Sequence, residues 1–226
     1  MLHHLFSLLD GEYNEEWDDW YNSDVEEILF SDPQNILCTV REAIELMHAC
    51  IDMELYEDGY KLCEAVCYLE VYAEGDYNDF DGSPLGIEEL FDHHLLEGDF
   101  DQFKKEALYL AYIGNQISSR AEEMYDLFES FHGLGVHLED VLQVGNHELP
   151  EFDTFLPLWI EYLGKQSGRR ASELLKEAQS LVQDDFALVE NARKYVNEHP
   201  ELYLQILKMK VIIPSHTRAI CNRGVY

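Results

Sequence analysis

Apolar residues recur every three or four positions along nearly the whole chain, and no other feature constrains the fold as much. After Pro33 the stripe runs Ile36, Val40, Ile44, Met47, Ile51 and Leu55. A helix burying one face has this period; a half-buried strand does not. Asp32-Pro33 supplies an N-cap acid and a first-turn proline. A second helix is predicted over residues 60–73, with Leu62, Val66, Leu69 and Ala73 inward and Gly75 as its stop. An acidic loop over residues 76–86 follows, then short helices over 87–96 and 100–113, divided by Gly98-Asp99.

The second half continues in the same style. Ser118 or Ser119 caps a helix with Ala121, Met124, Phe128 and Phe131 inward, ended by Gly133 and Gly135. A short helix over 138–144 comes next. Pro150 opens another, with Phe152, Phe155, Trp159, Ile160 and Leu163 inward, and Pro157 either bends it or marks its start. Further helices fit 169–182, 186–196 and 201–210. Strand-like alternation is nearly absent; only Val211-Ile212-Ile213 reads as extended.

Charge is the second constraint. The 226 residues carry a formal net charge of −31, with no lysine or arginine before Arg41 and none from Leu62 to Phe103. Such charge opposes compaction by self-repulsion and steers partner choice. Naked nucleic acid and anionic membrane surfaces are excluded as direct partners, and basic protein surfaces are favoured. The hydrophobic fraction of 46% and the 12% aromatic content argue for a folded chain despite the charge. Of the five cysteines, Cys38, Cys50, Cys63, Cys67 and Cys221, none forms a C-x-x-C pair, and the first four lie in helical stripes. They read as reduced thiols in a reducing compartment. The start lacks a basic signal-peptide region, and no apolar run approaches the roughly 18 residues of a membrane span. A cytoplasmic location is the expectation.

The two halves look related. Leu69-Glu70 aligns with Ile160-Glu161, Glu89-Leu90-Phe91 with Glu173-Leu174-Leu175, Asp99-Phe100 with Asp185-Phe186, and Ala107 with Ala192 or Arg193. The acidic loop is then an insertion of about seven residues into the first half, as duplicated helical hairpins allow. The run Leu158-Trp159-Ile160-Glu161-Tyr162-Leu163-Gly164, then Ala171 to Ala178, Ala192 to Val196 and His199 to Tyr203, resembles tetratricopeptide-like helical repeats of bacterial proteins, some of which accompany SWIM-type zinc fingers. No unit carries the full W-x2-L-G-x2-Y pattern, and no zinc-finger cysteine–histidine set is present. The resemblance implies an all-α fold, a right-handed array of antiparallel helical hairpins (an α-solenoid), and a protein-binding or scaffold role without catalytic residues.

Chemical motifs are sparse. Asp79-Phe80-Asp81-Gly82 with Glu88 partly follows a calcium-loop pattern, but Tyr77 holds the first ligand position and Leu85 cannot ligate. A solvated acidic loop is the plainer reading. Glu89 and His93, with Asp92 and His94 beside them, have a usable metal-ligand spacing but no matching second pair. There is no G-x-S-x-G and no glycine-rich phosphate loop, and Cys63 with Cys67 reads as a pair of core neighbours.

The strongest partner signal is Glu15, Glu16, Trp17, Asp18, Asp19, Trp20 and Tyr21, where acids and aromatics suit a basic peptide through charge pairing and cation–π contact. The same residues would also serve a capping helix that buries its aromatics. The chain thus divides into an acidic N-terminal helical cap (1–32), two helical-repeat units (33–115 and 116–210) and a basic C-terminal tail (211–226). The expected function is a non-catalytic interaction module or adaptor for a basic protein, with no cofactor and no metal. The alternatives are an acidic nucleic-acid mimic that blocks a nucleic-acid-binding protein, and a metal-dependent enzyme using the Asp79–His93 region.

Overall fold

The computed structural model describes residues 7–16, 25–74, 84–131, 136–145, 148–182, 184–202 and 204. Among them the protein is mostly helical, with nine helices and one three-stranded sheet. Two compact units divide the chain: residues 1–116 with 126–136, and residues 117–125 with 137–226.

The first unit opens with strands, which corrects the expected N-terminal helical cap. Strand β1 (Ser7–Glu16) pairs antiparallel with β2 (Val25–Ser31) and parallel with β3 (Val71–Glu74), giving the order β2-β1-β3. The helix predicted over 60–73 accordingly ends early. Helix α2 (Tyr56–Cys67) stops, and Leu69 and Val71 are buried in the approach to β3 and its first residue. Leu69, Val71 and Ala73 alternate with Glu70, Tyr72 and Glu74, the period of a strand. The pairing partner for that alternation lies some 60 residues upstream by arithmetic on the register Ser7↔Val71, beyond the reach of a local pattern.

Helix α1 (Ile36–Asp52) follows β2. The N-cap is Asn35, in the left-handed region at φ 59°, so Asp32 and Pro33 precede the helix rather than forming its cap and first turn. The Asp32 carboxylate accepts the Ile36 and Leu37 N–H groups at 2.8 and 2.7 Å, satisfying two donors that the first turn leaves open. Val40, Met47 and Cys50 are buried; Leu55, read as inward, is exposed and lies in the turn between α1 and α2. The turn displaces Leu55 from the helical phase that the spacing assumed. Gly59 lets α2 approach its neighbours closely, since a Cβ there would stand 2.9 Å from Leu110 and 3.0 Å from Cys50.

Helices α3 (Ile87–Asp92) and α4 (Phe100–Ile113) complete the core of this unit. Asp99 caps α4, accepting the Asp101 N–H at 2.9 Å. Phe91, Phe100, Phe103 and Phe131 form an aromatic cluster with ring centroids 5.1 to 6.4 Å apart, a spacing that favours edge and offset contact.

Helix α5 (Arg120–Ser130) spans the division between units. In the second unit, α6 (Leu138–Val144), α7 (Phe152–Leu163), α8 (Arg169–Ser180) and α9 (Asp185–Tyr195) follow. Helix α7 begins at Phe152, with Pro157 inside it. Phe155, Trp159, Ile160 and Leu163 are buried as the stripe predicts, while Phe152 is only half-buried. Trp159 lies between Phe155 and Tyr162, at 5.9 and 6.5 Å between centroids. The buried Arg120 guanidinium donates to the Pro150 carbonyl at 3.4 Å and the Glu151 carboxylate at 3.5 Å, tying the start of α5 to the start of α7. Of the helix expected over 201–210, only Glu201, Leu202 and Leu204 are described. The tail over 211–226, with Val211-Ile212-Ile213, lies outside the described residues.

Candidate functional site

The acidic–aromatic segment divides at the limit of the described residues. Glu15 and Glu16 end β1, where the register sets Glu15 opposite Glu26 and Glu16 opposite Val25. Trp17, Asp18, Asp19, Trp20 and Tyr21 lie outside the described residues. Glu15 and Glu16 therefore belong to a β-hairpin, and the helical-cap arrangement does not hold for them.

The second candidate is the region from Asp79 to His93. Asp79, Asp81 and Gly82 lie outside the described residues. Glu89 spends one carboxylate oxygen on the Gly86 N–H at 2.9 Å, capping α3. His93, exposed, has its ring 6.2 Å from that of Phe30. A cleft of about 520 Å³ is lined by Cys67, Glu70, Glu88, Glu89 and Phe131, among others. Among the described residues no group of three or more His, Cys, Asp or Glu side chains is placed to hold a metal ion.

The thiols of Cys63 and Cys67 stand 3.7 Å apart, and Cys63 is fully buried. The hydrogen bond with Cys67, then burial, pushes the Cys63 thiol well above its ordinary range. A thiol held neutral is a poor nucleophile, since the thiolate is the reactive form.

Packing also gathers a serine, a histidine and a glutamate that nothing in the sequence marks. His199 is fully buried, its Nδ1 2.7 Å from Ser172 Oγ and 3.9 Å from Glu201 Oε1. Ser172 and Glu201 line a cleft of about 450 Å³ with Arg169, Glu173 and Lys176. A proton relay needs the acid on one ring nitrogen and the nucleophile on the other. Here both approach Nδ1, while Nε2 is buried without a hydrogen-bond partner. The constellation ties α8 to the turn after α9 and lacks the geometry of a catalytic triad.

Several cations are committed to neighbouring acids. Lys61 pairs with Asp58, Lys165 with Glu161 and Arg169 with Glu173 along single helices. Buried Lys104 pairs with Asp101 at 2.7 Å and covers the Phe100 ring at 4.7 Å. By contrast, many carboxylates sit on exposed positions, among them Glu42, Glu45, Asp52, Glu54 and Glu57 around the α1–α2 turn. Leu46, Met53 and Leu55 are exposed in that same place. Sequence reading missed this feature because Leu55 continued the inward stripe.

Set against protein-family models, curated proteins and solved structures, the chain has no match in any of the three. Among the described residues no helix is long and apolar enough to cross a membrane.

Proposed function

We propose that the protein is a non-catalytic interaction module, an adaptor that binds a basic protein partner through its acidic helical surface. The observation carrying this reading is the distribution of charge: the chain carries a formal net charge of −31, acids such as Glu42, Glu45, Asp52, Glu54 and Glu57 occupy exposed positions, and Lys61, Lys104, Arg120, Lys165 and Arg169 are each paired with an acid. Such a surface attracts lysine- and arginine-rich partners and repels acidic ones.

The helices fit a duplicated hairpin array of tetratricopeptide-like form. Asp99 caps α4 and Asp184 caps α9 by the same bond to the N–H two residues on. Counting from each cap, Phe103, Ala107 and Ala111 correspond to Leu188, Ala192 and Val196, and all six are buried. The correspondence falls on Asp184 rather than on Asp185. One sequence pairing weakens the repeat: Leu69-Glu70 follows the end of α2, whereas Ile160-Glu161 lies inside α7.

The test is isolation of the protein from its native cells with bound partners identified by mass spectrometry. A lysine- and arginine-rich partner is expected, released as salt rises and bound more slowly after charge reversal at Glu15, Glu16, Asp18 and Asp19. Binding indifferent to salt would overturn the reading. Displacement of that partner by duplex DNA would favour nucleic-acid mimicry instead.

A further inference from the structure

The outward face of the α1–α2 hairpin combines exposed apolar side chains with acid in a way the rest of the described surface does not. Seven large hydrophobic residues are exposed among the described residues, and three of them, Leu46, Met53 and Leu55, fall within this one hairpin at 55, 59 and 47% exposure. The others, Tyr68, Leu158, Phe186 and Leu204, are scattered along the chain. Single exposed apolar residues are ordinary; a group of them rimmed by polar residues marks an interaction site.

Helix geometry places the group in register. Leu46 and Met53 are seven residues apart, two turns of α1 or about 10 Å along its axis, and so share one face. Glu42 lies one turn before Leu46, Glu45 is the residue next to Leu46 in the chain, and Asp52 adjoins Met53. Glu54 and Glu57 continue the acidic border through the turn into α2. From Glu42 to Tyr60 there is no lysine or arginine.

We propose that this face is the docking site for the basic partner, and that the partner segment is an amphipathic helix with an apolar stripe flanked by lysine and arginine. This rests on the interaction-module reading above and gives it a place and a ligand chemistry. A helix laid along α1 presents apolar side chains at i, i+3, i+4 and i+7, matching the spacing of Leu46 and Met53, and its flanking cations meet the acidic border. Charge complementarity selects this occupant over an acidic or purely apolar helix, which the border would repel or leave unpaired.

The probe is a labelled synthetic helix of about 18 residues with leucine at helical spacing and lysine elsewhere. Two companions replace every leucine by serine or every lysine by glutamate. Anisotropy gives affinity, and amide exchange on the full chain gives the footprint. The leucine–lysine peptide should bind best and protect residues 42–58. The Leu46→Ser/Met53→Ser variant should weaken it about tenfold, as loss of central apolar anchors does. Leu158→Ser/Phe186→Ser, exposed positions elsewhere, should change it less than about twofold. Circular dichroism would verify that each variant keeps its fold, and Glu42→Gln/Glu45→Gln/Asp52→Asn provides a second route to the same loss. Tight binding with a footprint elsewhere, or unmoved by both hairpin variants, would overturn the site but leave the basic-partner reading standing. Equal binding of the lysine and glutamate peptides would overturn that reading as well. A dimer at assay concentrations that Leu46→Ser/Met53→Ser dissociates would assign the face to a second copy, and the proposal would fall.

Discussion

Gly164→Ala should destabilise the second unit because of one ring. Gly164 ends α7 with φ −64° and ψ −14°, a conformation any L-residue adopts without strain. The obstacle is space. A Cβ there would stand 2.3, 2.4 and 2.6 Å from three carbons of the Tyr195 ring on α9. Optimal carbon contact is about 3.5–4.0 Å, so the ring must retreat by about 1 Å or more. Tyr195 is buried and Lys194 covers its face at 4.9 Å, which limits that retreat. Overpacking of this kind costs about 1–3 kcal/mol. Alanine's better helix propensity offsets less than about 1 kcal/mol, because the position is a cap. The net expectation is a loss of about 1–2 kcal/mol, read from urea unfolding followed by far-UV circular dichroism. Tyr195→Leu removes the opposing ring, so Gly164→Ala should be nearly neutral in that background. An equal loss in both backgrounds, or none in the wild type, would refute the packing of α7 against α9.

Four other outcomes are expected. Trp159→Ala should cost about 3–5 kcal/mol in equilibrium unfolding, since the side chain is buried between two aromatic rings. Asp32→Ala should cost about 0.5–2 kcal/mol by releasing the two N–H groups it bonds, measured by the shift in urea midpoint. The hydrogen bond from Lys104 holds the Asp101 carboxyl below the usual carboxylate range, so its contribution is present above the unfolded value and lost as pH falls through the folded one. The stability gap between wild type and Asp101→Asn should therefore close in acid, as unfolding curves across that range would show. Finally, Tm should rise with monovalent salt up to about 0.1 M as repulsion within a chain of net charge −31 is screened.

Legibility in the sequence tracked the range of the interactions involved. Helix α4 occupies the predicted residues 100–113 and α6 the predicted 138–144, because a cap acid and a helical stripe are local signals. Asp32 bonds the first N–H groups of α1 for the same reason, although the helix starts three residues later than Pro33 suggested. The sheet was not legible: β1 gains its partners from residues 25–31 and 71–74, and strand preference follows such pairing more than composition. The alternation from Leu69 to Glu74 was present but short, and Leu62, Val66, Leu69 and Ala73 fitted a continuing helix equally well. The gathering of Ser172, His199 and Glu201 was equally hidden, since it depends on α8 meeting the turn after α9. Leu55 shows the opposite error: a residue in phase with the stripe was carried outward by the turn that breaks the helix.

That last error bears on function, because it concealed the apolar part of the α1–α2 face. Charge alone attracts any basic protein, and long-range attraction raises encounter rates more than it selects partners. Selectivity requires short-range contacts that a wrong partner cannot fill. On this chain the acids are many and widely spread, so they cannot by themselves define one partner or one orientation. Leu46 and Met53 can, because their spacing fixes a direction along α1 and a period for what lies against it. In the docking proposed above, the acidic border selects which amphipathic helices are admitted, and the apolar pair sets how they sit. Two features that each read as ordinary, an excess of acid and a few exposed side chains, become specific once the fold brings them to one face.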